Sequence, residues 1–309
     1  MAFALVFPGQ GSQSVGMMAA YGDSTVIRDT FAEASDALGE DLWAMVCDGP
    51  AERLALTVNT QPLMLAAGVA TWRAWLAAGG TKPAMVAGHS LGEYSALVAA
   101  GAMAFKDAVP LVRFRAQAMQ EAVPAGEGAM AAVMGLEADA VREACAEAAQ
   151  GEVVEAANLN APGQIVIAGA KAAVERASEL AKAKGAKRAV LLPVSAPFHC
   201  ALMRPAAERL AGRLAGVAIS KPEIDVINNA DVAIYDEPEK IRDALVRQAF
   251  SPVRWIELVQ AMAARGMSHV IECGPGKVLA GMTKRIAKDV EGGSAHDAAS
   301  LEQSIAATR

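Results

Sequence analysis

The chain has 309 residues, of which 53% are hydrophobic and 20% charged, enough apolar matter for two domains or one large one and too much for disorder. It carries 28 lysines and arginines against 34 acids, a net charge of −6, with 5% aromatics; this argues against a general nucleic-acid binder, which needs a basic footprint and stacking platforms. The longest apolar runs, such as residues 96–105, reach about half of the ~20 residues a bilayer helix requires.

Met1 to Phe7 has no basic region and runs at once into Pro-Gly, so it is not expected to be a signal peptide. Cys47, Cys145, Cys200 and Cys273 are scattered, without a CxxC pair or a short disulfide framework. Together these features predict a soluble, cytoplasmic protein of a reducing compartment, without membrane or nucleic-acid partners.

Ala2 to Phe7 is an apolar run stopped by Pro8-Gly9, which predicts a buried strand and a turn. Helical periodicity follows over Ser24–Leu38 and Leu63–Ala78. Ala84–Ala87 is a second short buried run, followed by a helix-like stretch closed by Gly101. Strands alternating with helices predict an α/β layer around a parallel sheet.

After the loop Val123–Gly128 the pattern changes. It predicts strand Ala129–Met134, helix Ala138–Ala149, strands Val153–Asn158 and Gln164–Ala168, helix Ala170–Lys184 and strand Arg188–Val194. This β-α-β-β-α-β order is ferredoxin-like, with Pro193–Pro197 marking its exit. Residues 126–196 would then form a small inserted domain, and residues 1–125 with 197–309 a discontinuous large one. The large domain resumes with helix Ala201–Leu214 and strands Asp225–Asn228 and Ser268–Glu272. From Glu291 the chain is rich in Gly, Ser, Ala and charge, and no function is assigned to it.

Gly88-His89-Ser90-Leu91-Gly92 fits GxSxG between a predicted strand and a predicted helix. That context places Ser90 on a strained turn with its hydroxyl exposed, and the Leu91 N–H at the helix start can face a developing oxyanion. A plain Gly-rich turn is the alternative reading. A serine nucleophile needs a base, and there are four histidines. His89 adjoins Ser90 and should point away, His269 lies in a predicted strand, and His296 is in the tail. His199, at a loop-to-helix junction, remains. No third acid for a triad stands out.

Phe7–Gln13 (FPGQGSQ) follows the first strand. It is neither a dinucleotide fingerprint nor a phosphate loop, since Ser14 and Met17 stand where those need Gly and Lys. Two glycines around Gln10 would let its amide approach a ligand as a second oxyanion donor; an ordinary turn reads equally well. Isolated histidines and cysteines offer no metal-ligand spacing.

Phe7–Gln13, Gly88–Leu97, Asn158–Gly169, Val194–Met203 and Glu272–Leu279 together resemble the malonyl-CoA:acyl carrier protein transacylase family, in motif order and up to about Lys288. The resemblance implies an α/β-hydrolase-like large domain with a ferredoxin-like insert. It makes Ser90 the nucleophile, His199 its base, and the Gln10 and Leu91 amides the oxyanion hole. Arg115 would grip the malonyl carboxylate with its two-pronged guanidinium, Gln248 would orient the histidine, and Asn160 would be an active-site polar residue.

Phe198 departs from many free-standing bacterial relatives, which have a small residue before the histidine. It is similar there to malonyl-selective domains of modular synthases, so it would narrow the pocket, unless it simply packs. Acyl carrier protein and malonyl-CoA are the implied partners. Coenzyme A enters as a substrate thioester and phosphopantetheine arrives on the carrier, so no bound cofactor is implied. A monomer is expected. Lys182, Lys184, Lys187 and Arg188 are candidates for a carrier-facing basic patch. The rivals are a serine hydrolase such as a thioesterase, an acyltransferase of polyketide synthesis, and a non-catalytic carrier-binding subunit.

Overall fold

Nine strands organise the chain: β1 (Phe3–Phe7), β2 (Met85–Gly88), β3 (Gly128–Met134), β4 (Val154–Ala161), β5 (Gln164–Ala170), β6 (Arg188–Leu191), β7 (Asp225–Ile227), β8 (His269–Cys273) and β9 (Glu291–Ala295). The computed structural model describes residues 1–309. One sheet runs β7-β2-β1-β8-β9 with every neighbour parallel. Parallel strands need both faces covered, and β1 is buried at all of its positions. Phe3, Leu5 and Phe7 enter the larger core, under the helices Thr25–Leu38, Thr57–Ala77 and Phe105–Glu121. Ala4 and Val6 enter a second core, under Trp255–Ala264 and Val278–Ile286. The period of two along the strand thus builds both layers.

The second sheet is antiparallel, in the order β4-β5-β3-β6. Helices Ala138–Ala149 and Lys171–Ala183 cover one face, closing a core around Val133, Ile165, Val141 and Val174. The other face turns Met130, Ala157, Val166 and Ala168 toward the larger core. The parallel α/β sheet and the ferredoxin-like pattern expected of the chain are both present.

Several elements differ from expectation. The helix expected from Leu63 starts at Thr57 and carries Pro62; its early polar residues Asn59, Thr60 and Gln61 are buried, which hides the amphipathic period. Short helices Leu42–Asp48 and Ala51–Ala55 were not foreseen. The strand expected to reach Val194 ends at Leu191. A 3₁₀ turn, Ala201–Met203, precedes the helix Arg204–Leu214. The final segment, to which the sequence reading assigns no element, is folded: Glu291–Ala295 adds an edge strand to β8, and Asp297 caps the helix Ala298–Ala307. Low apolar content concealed that strand, which pairs through its backbone.

Candidate active site

β2 ends at Gly88 and a helix begins at Gly92, so the chain reverses within three residues. Ser90 takes φ 51°, a left-handed conformation that costs a non-glycine residue about 1–3 kcal/mol. The two glycines are required sterically. A Cβ at Gly88 would lie 1.8 Å from the Gly92 carbonyl carbon, and one at Gly92 would lie 2.0 Å from the Phe7 carbonyl oxygen.

Ser90 Oγ lies 2.6 Å from His199 Nε2. His199 also has a positive φ, 62°, and is buried. Its Nδ1 stands 2.9 Å from the Gln248 carbonyl oxygen. A carbonyl can only accept, so Nδ1 carries the proton and Nε2 keeps its lone pair for the serine. Burial, reinforced by the Arg115 cation, pulls the imidazole down to about 3, so it is neutral near pH 7. Gln248 therefore holds the histidine through its main chain, where the resemblance had pointed to the residue as a whole. Its side chain does other things: Nε2 donates to the Ser90 carbonyl and to Glu93 Oε2, each at 2.9 Å.

Arg115 is 2% exposed. Nη1 donates to Gln61 Oε1 at 2.9 Å, and Nη2 to Gln248 Oε1 at 2.9 Å and Ser90 Oγ at 3.1 Å. Nε has no partner. The guanidinium lies 5.4 Å from the Tyr94 ring centroid and forms no salt bridge. Glu93, the buried acid of this cluster, is pushed up to about 7 by burial, against hydrogen bonds from Gln248 and Asn229 that favour its charged form. A desolvated cation with neutral partners is costly, and here it sits beside the Ser90 hydroxyl.

Ser90, His199, Arg115 and Gln61 line one cavity of about 230 Å³. It contains every site residue foreseen from sequence except Gln248, which braces it from behind: Gln10, Ser90, Leu91, Arg115, Asn160, Phe198 and His199. The N–H groups of Gln10 and Leu91 make no hydrogen bond within the chain, as an oxyanion hole needs. Asn160 Oδ1 pairs with His89 Nε2 at 2.8 Å, so His89 turns away from Ser90 Oγ yet still lines the cavity. Phe198 is 9% exposed and forms part of the wall with Met130, Val166 and Leu192. The four basic residues considered for carrier docking lie at the end of a helix and the start of β6, and acids already engage Lys182 and Lys184, through Glu179 and Glu147.

Sequence reasoning missed Gln61, Glu93, Asn158 and Asn229. Glu93 lies within GHSLGEYSAL and carried a signal, an acid one turn after the serine. The other three are amides whose neighbours in the chain, such as Asn59-Thr60 before Gln61 and Asn228 before Asn229, do not mark them out as site residues.

Residues 4–303 match the acyl transferase domain family. The chain is 54% identical over 304 residues to the malonyl CoA-acyl carrier protein transacylase of Salmonella typhimurium, covering 98% of each. It superposes with a TM-score of 0.98 on an acyl-carrier-protein S-malonyltransferase from Burkholderia pseudomallei, at 62% identity over 99% of this chain and 100% of that one. It matches equally, TM-score 0.98, a malonyl-transacylase solved in complex with its type II PKS acyl-carrier protein, at 52% identity over 99% and 100% of the two chains.

Proposed function

The chain belongs to the acyl transferase domain family, and on that premise we propose that it moves the malonyl group of malonyl-CoA to the pantetheine thiol of acyl carrier protein, for fatty acid synthesis. Ser90 gives its proton to His199 Nε2 and attacks the thioester carbonyl carbon. The Gln10 and Leu91 amides hold the resulting oxyanion. The carbon–sulfur bond breaks, His199 returns the proton to the coenzyme A sulfur, and a malonyl-Ser90 ester remains. The carrier's pantetheine thiol then gives its proton to His199 and attacks that ester, and the proton returns to Ser90 Oγ as the new thioester forms. Every step is an acyl or proton transfer, so no redox group is consumed.

One observation carries the choice of acyl group: the buried Arg115 guanidinium without an acidic partner, with one nitrogen 3.1 Å from Ser90 Oγ. An acyl group attached to Ser90 would place its terminal carboxylate within reach of that charge. Phe198 and Asn160 shape and polarise the wall around it.

Incubation with malonyl-CoA followed by peptide mass spectrometry is the test. The malonyl mass should appear on the peptide containing Ser90 and disappear when carrier protein is added, with malonyl-carrier formed in equal amount. Release as free malonate at the same rate without carrier would instead mark a thioesterase.

A further inference from the structure

The ladder between β2 and β7 runs as far as the pair Ala87↔Ile227. There β7 ends, while β2 goes on into the turn that carries Ser90. The Gly88 carbonyl and the Ser90 N–H are left without a strand to pair with. A single side chain meets both. Asn229, wholly buried, donates from Nδ2 to the Gly88 oxygen at 2.7 Å and accepts at Oδ1 from the Ser90 N–H at 2.7 Å. A primary amide offers the same donor and acceptor as a peptide, so Asn229 adds one rung to the sheet where the backbone cannot.

The rung is itself anchored. The Asn229 N–H donates to Glu93 Oε2 at 2.9 Å, the same oxygen that accepts from Gln248 Nε2. Gln248 Nε2 also meets the Ser90 carbonyl. The nucleophile's own N–H and C=O are therefore held by two amide side chains, and both of those are tied to one carboxyl oxygen. An L-residue at φ 51° stays there only if its surroundings over-determine it. With φ in its ordinary range, Cβ would swing and Oγ would leave His199.

We propose that Asn229 is a positioning residue for the reaction, bracing the Ser90 turn so that Oγ meets His199 Nε2, with Glu93 anchoring the brace. The inference rests on the reading of Ser90 as the acyl acceptor. A merely structural asparagine would affect folding and leave the folded enzyme's chemistry intact; a brace alters the chemistry at constant binding.

The test compares parent, Asn229→Ala, Asn229→Leu and Asn229→Asp. Three readouts are taken: labelling of Ser90 by a fluorophosphonate, the single-turnover rate of malonyl-Ser90 formation, and KM for malonyl-CoA, with circular dichroism and thermal melting to count folded protein. In folded Asn229→Ala and Asn229→Leu, labelling and acylation should both fall about 10–100-fold, the scale of a misplaced reacting group, while KM changes by less than about twofold. Asn229→Asp keeps the oxygen that receives the Ser90 N–H, and in this buried position its carboxyl stays protonated and donates to the Gly88 carbonyl. It should therefore lose less than the leucine variant, and it carries the test if the apolar variants do not fold. Labelling at the parent rate per folded molecule, a KM effect without a rate effect, or an aspartate variant no better than leucine overturns the brace. A Ser90→Ala enzyme that is still labelled at this turn overturns the nucleophile assignment, which separates the two failures.

Discussion

Arg115 is a full charge shut inside the protein with amide and hydroxyl oxygens for company. Losing a buried charged partner typically costs about 2–5 kcal/mol, roughly thirty- to several-thousand-fold in rate. Arg115→Ala should lose malonyl transfer by such a factor and keep or gain acetyl transfer, because Ser90, His199 and the oxyanion amides remain. Lysine should rescue only in part, supplying charge without the two-pronged geometry. The measurement is kcat/KM for malonyl-CoA and acetyl-CoA in all three enzymes; parallel loss of both substrates refutes the carboxylate grip. His199 gives a pH prediction. An imidazole pulled down to about 3 keeps its base form at every higher pH. Glu93, at about 7, is the acid beside the site that titrates near neutrality, so Glu93→Gln isolates the histidine. In that variant, malonyl-Ser90 formation should hold its rate from about pH 8 to about pH 5. An acid limb centred near the ordinary value of 6.5 would mean that the histidine is solvated.

At the scale of elements, the junction of β2 with the following helix depends on the missing side chains at 88 and 92. Gly88→Ala forces a Cβ to 1.8 Å from the Gly92 carbonyl carbon, so strand and helix must separate. Overpacking usually costs about 1–3 kcal/mol, and a clash between two backbones should reach the top of that range or exceed it. Denaturant unfolding of Gly88→Ala measures this, and a parent-like midpoint would show that the junction gives. The helix Pro238–Phe250 contributes by where it stops. Gln248 lies in its last turn, where carbonyls lack intrahelical donors and the dipole is negative, and one such carbonyl fixes the His199 proton. Gln248→Ala keeps that carbonyl. It should therefore cost less than His199→Ala, for which about 10²–10⁴-fold is expected; equal losses would show that the side chain, through Ser90 and Arg115, matters as much as the carbonyl's hold on His199. On β4, a bulge between Ala156 and Asn158 shifts the register against β5. Strict alternation would send Asn158 and Asn160 the way of Ala156, into the insert's own core; the extra residue turns them to the cavity wall.

Over the whole molecule, the parallel sheet is a platform between two cores, and the site forms where the ends of β1 and β2 meet the inner face of the antiparallel sheet. Main-chain hydrogen bonds between Val253, in the segment joining the helices Pro238–Phe250 and Trp255–Ala264, and both Ala157 and Leu159 tie β4 to the large domain there. Behind the platform, Glu272 is fully buried in β8, with Oε2 accepting from the Ala280 N–H at 3.0 Å and Oε1 without a partner. Burial pushes it up to about 7, against the favourable N–H groups at the start of the helix Val278–Ile286. A folded-state value above the ordinary 4.5 means that the fold binds the proton more tightly than the open chain does. That stabilisation is complete at low pH and is lost as pH rises through about 7. Glu272→Gln does not titrate, so its melting temperature relative to the parent should rise between about pH 5 and about pH 8. A constant gap would show that Glu272 is already ionised in the fold.

By itself the sequence determined the parallel α/β layer, the β-α-β-β-α-β insert, the elbow at Ser90 and, by elimination among four histidines, His199 as the candidate base. These are legible because they rest on local signals: apolar runs of strand length, helical periods, and glycines flanking a serine between a strand and a helix. The resemblance across five motifs added Arg115, Gln10, Asn160 and Gln248. Only the tertiary structure decided that the Gln248 main chain, not its side chain, meets His199. It alone brought Gln61, Glu93 and Asn229 to the Ser90 turn, and folded the Gly- and Ala-rich end into a strand and a helix. The physical reason is common to all of these. A carbonyl, a buried amide or an edge strand acts through hydrogen bonds whose partners lie far away in the chain. Residue identity leaves no periodic trace of such a bond.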